Sequence, residues 1–157
     1  MERVIVNGEV SIPVPEGFRV LEKEDLDKLY LDNNPDRWGM TDEQKGMAVS
    51  LFWHKNGAIV AALAKPGDVC KATEKKLRSA LKDHEYRFES FFKRTIGGKD
   101  AYGFRHFYLR QGEDQVSEVT LFMRGRVCYT LYCYTSVERQ QENLPALYDI
   151  IDGIAFS

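Results

Sequence analysis

The sequence has few of the residues that build metal and redox sites. It holds three cysteines, Cys70, Cys128 and Cys133, and three histidines, His54, His84 and His106, in 157 residues. Neither CxxC nor HExxH occurs, the spacings that bring two ligands to one face of a turn or helix. No structural metal and no cofactor is expected. An odd number of cysteines without motif spacing reads as free thiols in a reducing compartment. Long apolar runs are also missing. None approaches the ~18–20 residues that cross a bilayer, so no membrane span is expected. The opening MERVIVNGEV lacks the basic start, apolar stretch and small-residue cleavage site of a secretory signal, and a cytoplasmic location is expected. Neither sign of charge dominates: 22 Lys and Arg face 24 Asp and Glu, for a net charge of -2. That argues against broad attraction to nucleic acid or an anionic membrane. There is no internal repeat, linker or low-complexity segment, so residues 1–157 are expected to form a single domain.

The chain does have the makings of a core. Hydrophobic residues make up 43% and aromatics 12%. RVIVNGEVSIPVP sets two short apolar runs around Asn7-Gly8, a dipeptide suited to a hairpin turn. Pro13 and Pro15 are then expected to lead the chain away from pairing, because proline cannot donate to a ladder. FRVL reads as one more short strand. In EKEDLDKLYL, Leu21, Leu26, Leu29 and Tyr30 recur at helical spacing, with acidic residues at the positive end of the helix dipole. Asn33-Asn34-Pro35 is expected to stop this helix, and PDRWGMTDEQKG to follow as a polar loop. MAVSLFWH is a strand by composition. AIVAALA mixes helix-favouring Ala with strand-favouring Ile and Val, and reads as the partner strand of a hairpin through Asn56-Gly57. After Pro66-Gly67, Asp68 suits an N-cap. Val69, Ala72, Leu77, Ala80, Leu81 and His84 mark one face of a helix, with Lys75, Lys76, Arg78 and Lys82 on its solvated side.

From Tyr86 to Thr135 the apolar period becomes that of strands. YRFESFFKRTI, AYGFRHFYLR, VSEVTLFM and RVCYTLYCYT are separated by short glycine-containing turns, which makes an antiparallel meander. Several of these runs are apolar at both parities. That predicts cover on both sheet faces, or one face of polar-tipped aromatics. Cys128 and Cys133 should point to opposite faces. A closing helix carries Pro145 in its first turn and buries Leu144, Leu147, Tyr148, Ile151 and Ile154 until Gly153 ends it.

The order of elements, with SIPVPEGF early, TIGGKDAYGFRHF entering the meander, RVCYTLYCYTS late and LYDIIDGIAF at the close, resembles the PsbP/Mog1/DcrB-like superfamily. The resemblance implies an α+β fold, a central antiparallel β-sheet flanked by helices on both sides. It also implies an accessory or binding protein. Members include partners of a small GTPase, photosystem assembly factors, and bacterial lipoproteins or chaperones, and there is no family catalytic residue to carry over. The lipid-anchoring leader of the lipoprotein members is not seen, which argues away from an envelope role.

Candidate sites are sparse. The glycines of TIGGKDAYGFRHFY with Lys99 look at first like a phosphate loop. Such a loop runs on into a helix, whereas here a strand composition follows and Asp100 opposes an anion. Gly97 and Gly98 are therefore expected to supply positive φ to a hairpin turn, and Gly103 to allow a bulge or close packing. Cys70 near a helix start is the best thiol nucleophile on offer, set against burial as a small apolar residue. His106 lies among Tyr102, Phe104 and Tyr108 and is expected to be packed with its ring nitrogens satisfied. Arg37 and Trp38 offer either a partner anchor or a plug over the core. Three readings follow. The first is a non-catalytic cytoplasmic binding or accessory protein with a protein partner, recognised through a sheet edge, the Trp38 loop or a groove between helix and sheet. The second is a small-molecule binder or unrecognised enzyme with an aromatic pocket near Tyr102, His106, Tyr132 and Tyr134. The third is a structural homo-oligomer. Oligomeric state is left open.

Overall fold

The structure, a computed structural model, describes residues 2–29 and 35–157. The chain runs β1 (Glu2–Val6), β2 (Val10–Val14), β3 (Arg19–Val20), α1 (Lys23–Leu29), β4 (Arg37–Asp42) and β5 (Met47–Lys55). Then come α2 (Ala58–Leu63), α3 (Pro66–Ala80), β6 (Arg87–Ile96), β7 (Lys99–Arg110), β8 (Glu113–Arg124), β9 (Val127–Ser136), α4 (Gln140–Asp152) and β10 (Ala155–Phe156). Seven strands form one antiparallel sheet in the order β3-β4-β5-β9-β8-β7-β6, and β1-β2-β10 form a second, smaller one. Among the described residues no helix is long and apolar enough to cross a membrane.

The meander β6 to β9 is as its turn residues predict. Ile96 pairs with Lys99 across Gly97 and Gly98, whose φ values of 56° and 81° are those of a primed two-residue turn. Gly103 serves close packing. A Cβ there would meet the Val119 carbonyl oxygen at 2.4 Å and the Phe92 ring at 2.5 Å. The irregularity in this part of the sheet lies elsewhere, between Phe88 and Ser90.

The large sheet is covered on both faces, and the two covers differ. One face joins the small sheet and α4 in the main core, where Met47, Val49, Leu51, Phe122, Tyr129, Leu131 and Cys133 meet Ile12, Leu147 and Ile150. The other face packs beneath α3 on a smaller cluster of Cys70, Phe104, Val119, Leu121 and Cys128. Cys133 and Cys128 thus fall on opposite faces, as their odd separation requires.

Five local expectations are corrected. PDRWGMTDEQKG is not a loop: Arg37–Asp42 form β4, which pairs with β5 in register Trp38↔Leu51. AIVAALA is the helix α2, because β5 already has β4 on one side and β9 on the other, leaving no edge for a third strand. Pro13 lies inside β2 opposite Arg3, and β10 reaches only Val10 and Ser11, so the proline lies beyond that ladder. The helix expected from Asp68 begins at Pro66, with Asp68 in its first turn, and ends before Leu81 and His84. Pro145 sits inside α4, which starts at Gln140 and buries Asn143 and Ile150 besides Leu147 and Ile151. The Tyr30 and Asn33-Asn34 portion of the expected first-helix stop lies outside the described residues.

Candidate functional site

A groove of about 730 Å³ lies between α3 and the sheet. Strand parity builds its floor. Antiparallel pairing places His106 opposite Ser117, and Ser117 opposite Tyr134. Two rows along, Leu121 pairs with Thr130 and Thr130 with Phe52. These side chains share a face because every second residue points the same way. The roof is the α3 side that carries Val69, Thr73 and Leu77. Phe52 and Tyr132 meet edge to face, with ring centroids 5.4 Å apart.

His106 is the most unusual group in this floor. It is 2% exposed, and neither ring nitrogen finds a hydrogen-bond partner among the described residues. The ring is held by aromatic stacking instead, with Tyr86 at 5.1 Å and Tyr108 at 5.6 Å. Burial pushes its pKa down to about 4, against a smaller opposing pull from Glu74, so the imidazole is neutral around pH 7. The expected satisfaction of its nitrogens is therefore corrected. The two tyrosine rings cover the faces of the imidazole, and burial shuts its edge nitrogens off from solvent without supplying a partner among the described residues.

Charge along the groove has one sign. Lys76 and Arg110 line it, and among its described lining residues there is no aspartate or glutamate. Arg110 donates to the Tyr134 hydroxyl at 3.0 Å and lies over that ring. The buried acid nearby, Glu74 on α3, is already engaged. It accepts two bonds from Arg78, at 2.9 and 3.0 Å, and one from the Tyr86 hydroxyl at 2.8 Å. All three histidines of the chain line the groove, although they come from β5, from the turn after α3, and from β7. Among the described residues no group of three His, Cys, Asp or Glu side chains is placed to hold a metal ion.

The other candidates separate clearly. Tyr132 and Tyr134 line the groove with His106. Tyr102 packs against the small cluster under α3 and does not line the groove. Arg37 and Trp38 lie on β4, away from it. The Arg37 side chain, 5% exposed, is paired with Asp27 of α1. Trp38 packs against the main core, with its indole nitrogen buried. Cys70 is buried, and its thiol is pushed up to about 11, first by burial and then by Glu74. The expected help from the helix start is thus outweighed, and the thiolate is disfavoured.

Sequence reasoning missed Glu74, Arg110 and Ser117. Glu74 sits four residues after Cys70, a helical interval that a hydrophobic pattern passes over because the residue is charged. It also missed an ionic cluster beneath α4. There Glu118 accepts from Arg94, from Arg105 at 2.7 Å and from the Tyr148 hydroxyl at 2.5 Å. Burial alone would raise the Glu118 pKa, but these donors outweigh it and hold the carboxyl below its usual range.

A seven-stranded antiparallel sheet clad by helices on both faces, with a small sheet at one side, defines an α+β sandwich of PsbP/Mog1 type. The solved structures it resembles include cyanobacterial PsbP (CyanoP) from Synechocystis, with a TM-score of 0.68 and 14% identity over 99% of this chain and 92% of that one. The Ran-binding protein Mog1p of Saccharomyces cerevisiae superposes with a TM-score of 0.61 at 8% identity, over 98% of this chain and 93% of Mog1p. LpqN of Mycobacterium tuberculosis, involved in cell envelope biogenesis, gives 0.62 at 15% identity, over 94% of this chain and 83% of LpqN. At these identities the likeness is one of fold. Compared by sequence, the chain matches no family model and no curated protein.

Proposed function

We propose that this protein is a non-catalytic binding protein whose ligand site is the groove between α3 and the sheet. The observation that carries the reading is the groove itself, about 730 Å³ between α3 and the sheet, with Phe52, Leu77, Leu121 and Tyr132 as its apolar lining beside polar side chains such as Ser117 and Thr130. Few polar groups in a mostly apolar concavity is the usual make-up of a small-molecule site. The non-catalytic part rests on the same chemistry. A histidine held neutral down to about pH 4 is a weak base at neutral pH. The three buried thiols are all pushed up in pKa, which disfavours the thiolate a nucleophile needs.

The test is a fragment screen read by amide chemical-shift changes. Binders should perturb residues of α3, β7 and β9 around Leu77, His106 and Tyr132. A Leu77→Trp variant, which fills the groove, should keep its melting temperature within a few degrees and lose the binders. Binding that survives Leu77→Trp, or shifts confined to other surfaces, would overturn the reading.

A second reading, recognition of a protein partner, is favoured by α2. Ile59, Val60 and Leu63 are 77%, 58% and 75% exposed, an apolar face that a six-residue helix leaves to solvent. The fold neighbour Mog1p is itself a Ran-binding protein. Immobilised wild-type protein should retain a partner that an Ile59→Asp, Leu63→Asp variant with unchanged melting loses. Equal retention would remove this reading.

A further inference from the structure

We infer that α2 rests on an anionic lipid surface, with Ile59, Val60 and Leu63 entering the headgroup layer and flanking lysines meeting the lipid phosphates. The inference goes beyond the groove, and it gives the uncovered face of α2 a different occupant from the protein of the second reading. Its first support is the helix itself. Ala58–Leu63 carries no charged or hydroxyl side chain, and Ile59, Val60 and Leu63 are 77%, 58% and 75% exposed. Ile59 and Leu63 are four residues apart and Val60 lies beside Ile59, so the three crown one side of the helix. Large aliphatic side chains grouped on a surface mark a place of contact. At about 9 Å for six residues, the helix is far too short to span a bilayer, but a helix with one apolar side can lie in the interface plane.

The second support is the placement of charge. Lysines bracket the helix: Lys55 is four residues before Ile59, and Lys65 is two after Leu63. Both are exposed, as are Lys71, Lys75 and Lys76 on α3. Among the described residues no ion pair engages any of the five. From Lys55 to Ala80, six Lys and Arg stand against two acids. One of those acids, Glu74, is buried and paired with Arg78, which leaves Asp68 to oppose five lysines. A chain of net charge -2 thus concentrates positive charge around its most exposed apolar side chains, and the near balance of the whole does not describe this part. Composition then tells lipid from protein. Trp, Tyr and Arg dominate protein hot spots, and lysine is depleted in interface cores. The stretch from Lys55 to Lys65 has no Trp, Tyr or Arg. It offers aliphatic side chains and lysines, which suit alkyl chains lying beneath a layer of phosphates.

The experiment is co-sedimentation of the full chain with two kinds of vesicle, at about 0.1 M salt so that exposed charges are only partly screened. One kind is phosphatidylcholine alone; the other contains phosphatidylglycerol as roughly one-third of its lipid, which supplies the anionic surface. We expect binding to the anionic vesicles to be tighter by about tenfold or more. The double variant Ile59→Asp, Leu63→Asp should abolish it and keep its melting temperature, since both side chains are exposed. The double variant Lys55→Gln, Lys65→Gln leaves the apolar side intact and should weaken binding roughly ten- to thirtyfold, at about fivefold for each lysine near the surface. Failure to sediment with anionic vesicles would overturn the inference; if Ile59→Asp, Leu63→Asp nevertheless releases a retained protein, α2 belongs to the protein of the second reading. Anionic binding that survives Ile59→Asp, Leu63→Asp would overturn it too, because another surface would then hold the lipid. Equal binding to the two kinds of vesicle would do the same.

Discussion

His106 and Tyr86 lie ring against ring, with centroids 5.1 Å apart and planes inclined by 23°. Tyr86 in turn donates its hydroxyl to Glu74 at 2.8 Å. One tyrosine thus joins the ion pair of α3 to the imidazole in the groove floor. Its apolar face covers the histidine while its polar tip meets the carboxylate.

This arrangement sets a pH dependence. The folded His106 pKa is about 4, below its ordinary 6.5. Between these values the unfolded chain binds a proton that the folded chain refuses, so stability falls as pH drops from 6.5 to 4. The loss attributable to His106 should be about 3 kcal/mol across that window. Urea unfolding of wild type and His106→Phe at several pH values isolates it. The variant should lose less stability over the same range, and parallel curves would refute the burial argument.

Glu118→Gln should destabilise the fold. The change removes a buried charge and deprives Arg94 and Arg105 of the carboxylate they share. The cost should lie toward the lower end of about 3–5 kcal/mol, since both arginines keep some contact with water. Because the Glu118 pKa is held below its usual value of 4.5, its stabilisation is present above that pH and is lost as pH falls through the folded pKa. The variant should therefore show a weaker acid transition, measured by circular dichroism.

Gly103→Ala should be costly although it adds one methyl group. Its Cβ would fall 2.4 Å from a backbone oxygen, which cannot move without disturbing β8. Overpacking of this kind costs about 1–3 kcal/mol. Thermal unfolding should show a drop of several degrees, whereas an unchanged melting temperature would mean that β7 and β8 can separate there.

Trp38→Ala should act on stability rather than on binding. Trp38 packs against the main core from β4, and truncating a core tryptophan costs about 3–5 kcal/mol when burial is complete. Partial burial puts the expected loss at the low end. A variant that melts normally would return Trp38 to the surface.

Much of the fold was legible because its cues are local. The turn glycines between the meander strands, the parity of β6 to β9 and the amphipathic run of α3 each depend on residues close in sequence. The opposite facing of Cys128 and Cys133 follows from strand geometry alone. Errors fell where a neighbour decided the outcome. AIVAALA has no local preference strong enough to choose, and occupation of both edges of β5 made it a helix. Trp38 sits among polar residues in the chain, yet pairing with β5 turned its segment into a strand.

The candidate site divides along the same line. Composition and spacing alone determined an aromatic strand bearing Tyr102, Phe104, His106 and Tyr108 on one face, and a lysine-rich helix. The convergence of His54, His84 and His106 on one groove was decided only in three dimensions, by a sheet order that brings β5, β9, β8 and β7 side by side beneath α3. So was the one-sided charge of that groove, because Glu74 could be withdrawn from it only by Arg78 and Tyr86, and Tyr86 lies outside the helix. Periodicity reports which way a side chain points; which other side chains it meets depends on pairings between distant segments, and those are set by the packing of the whole core.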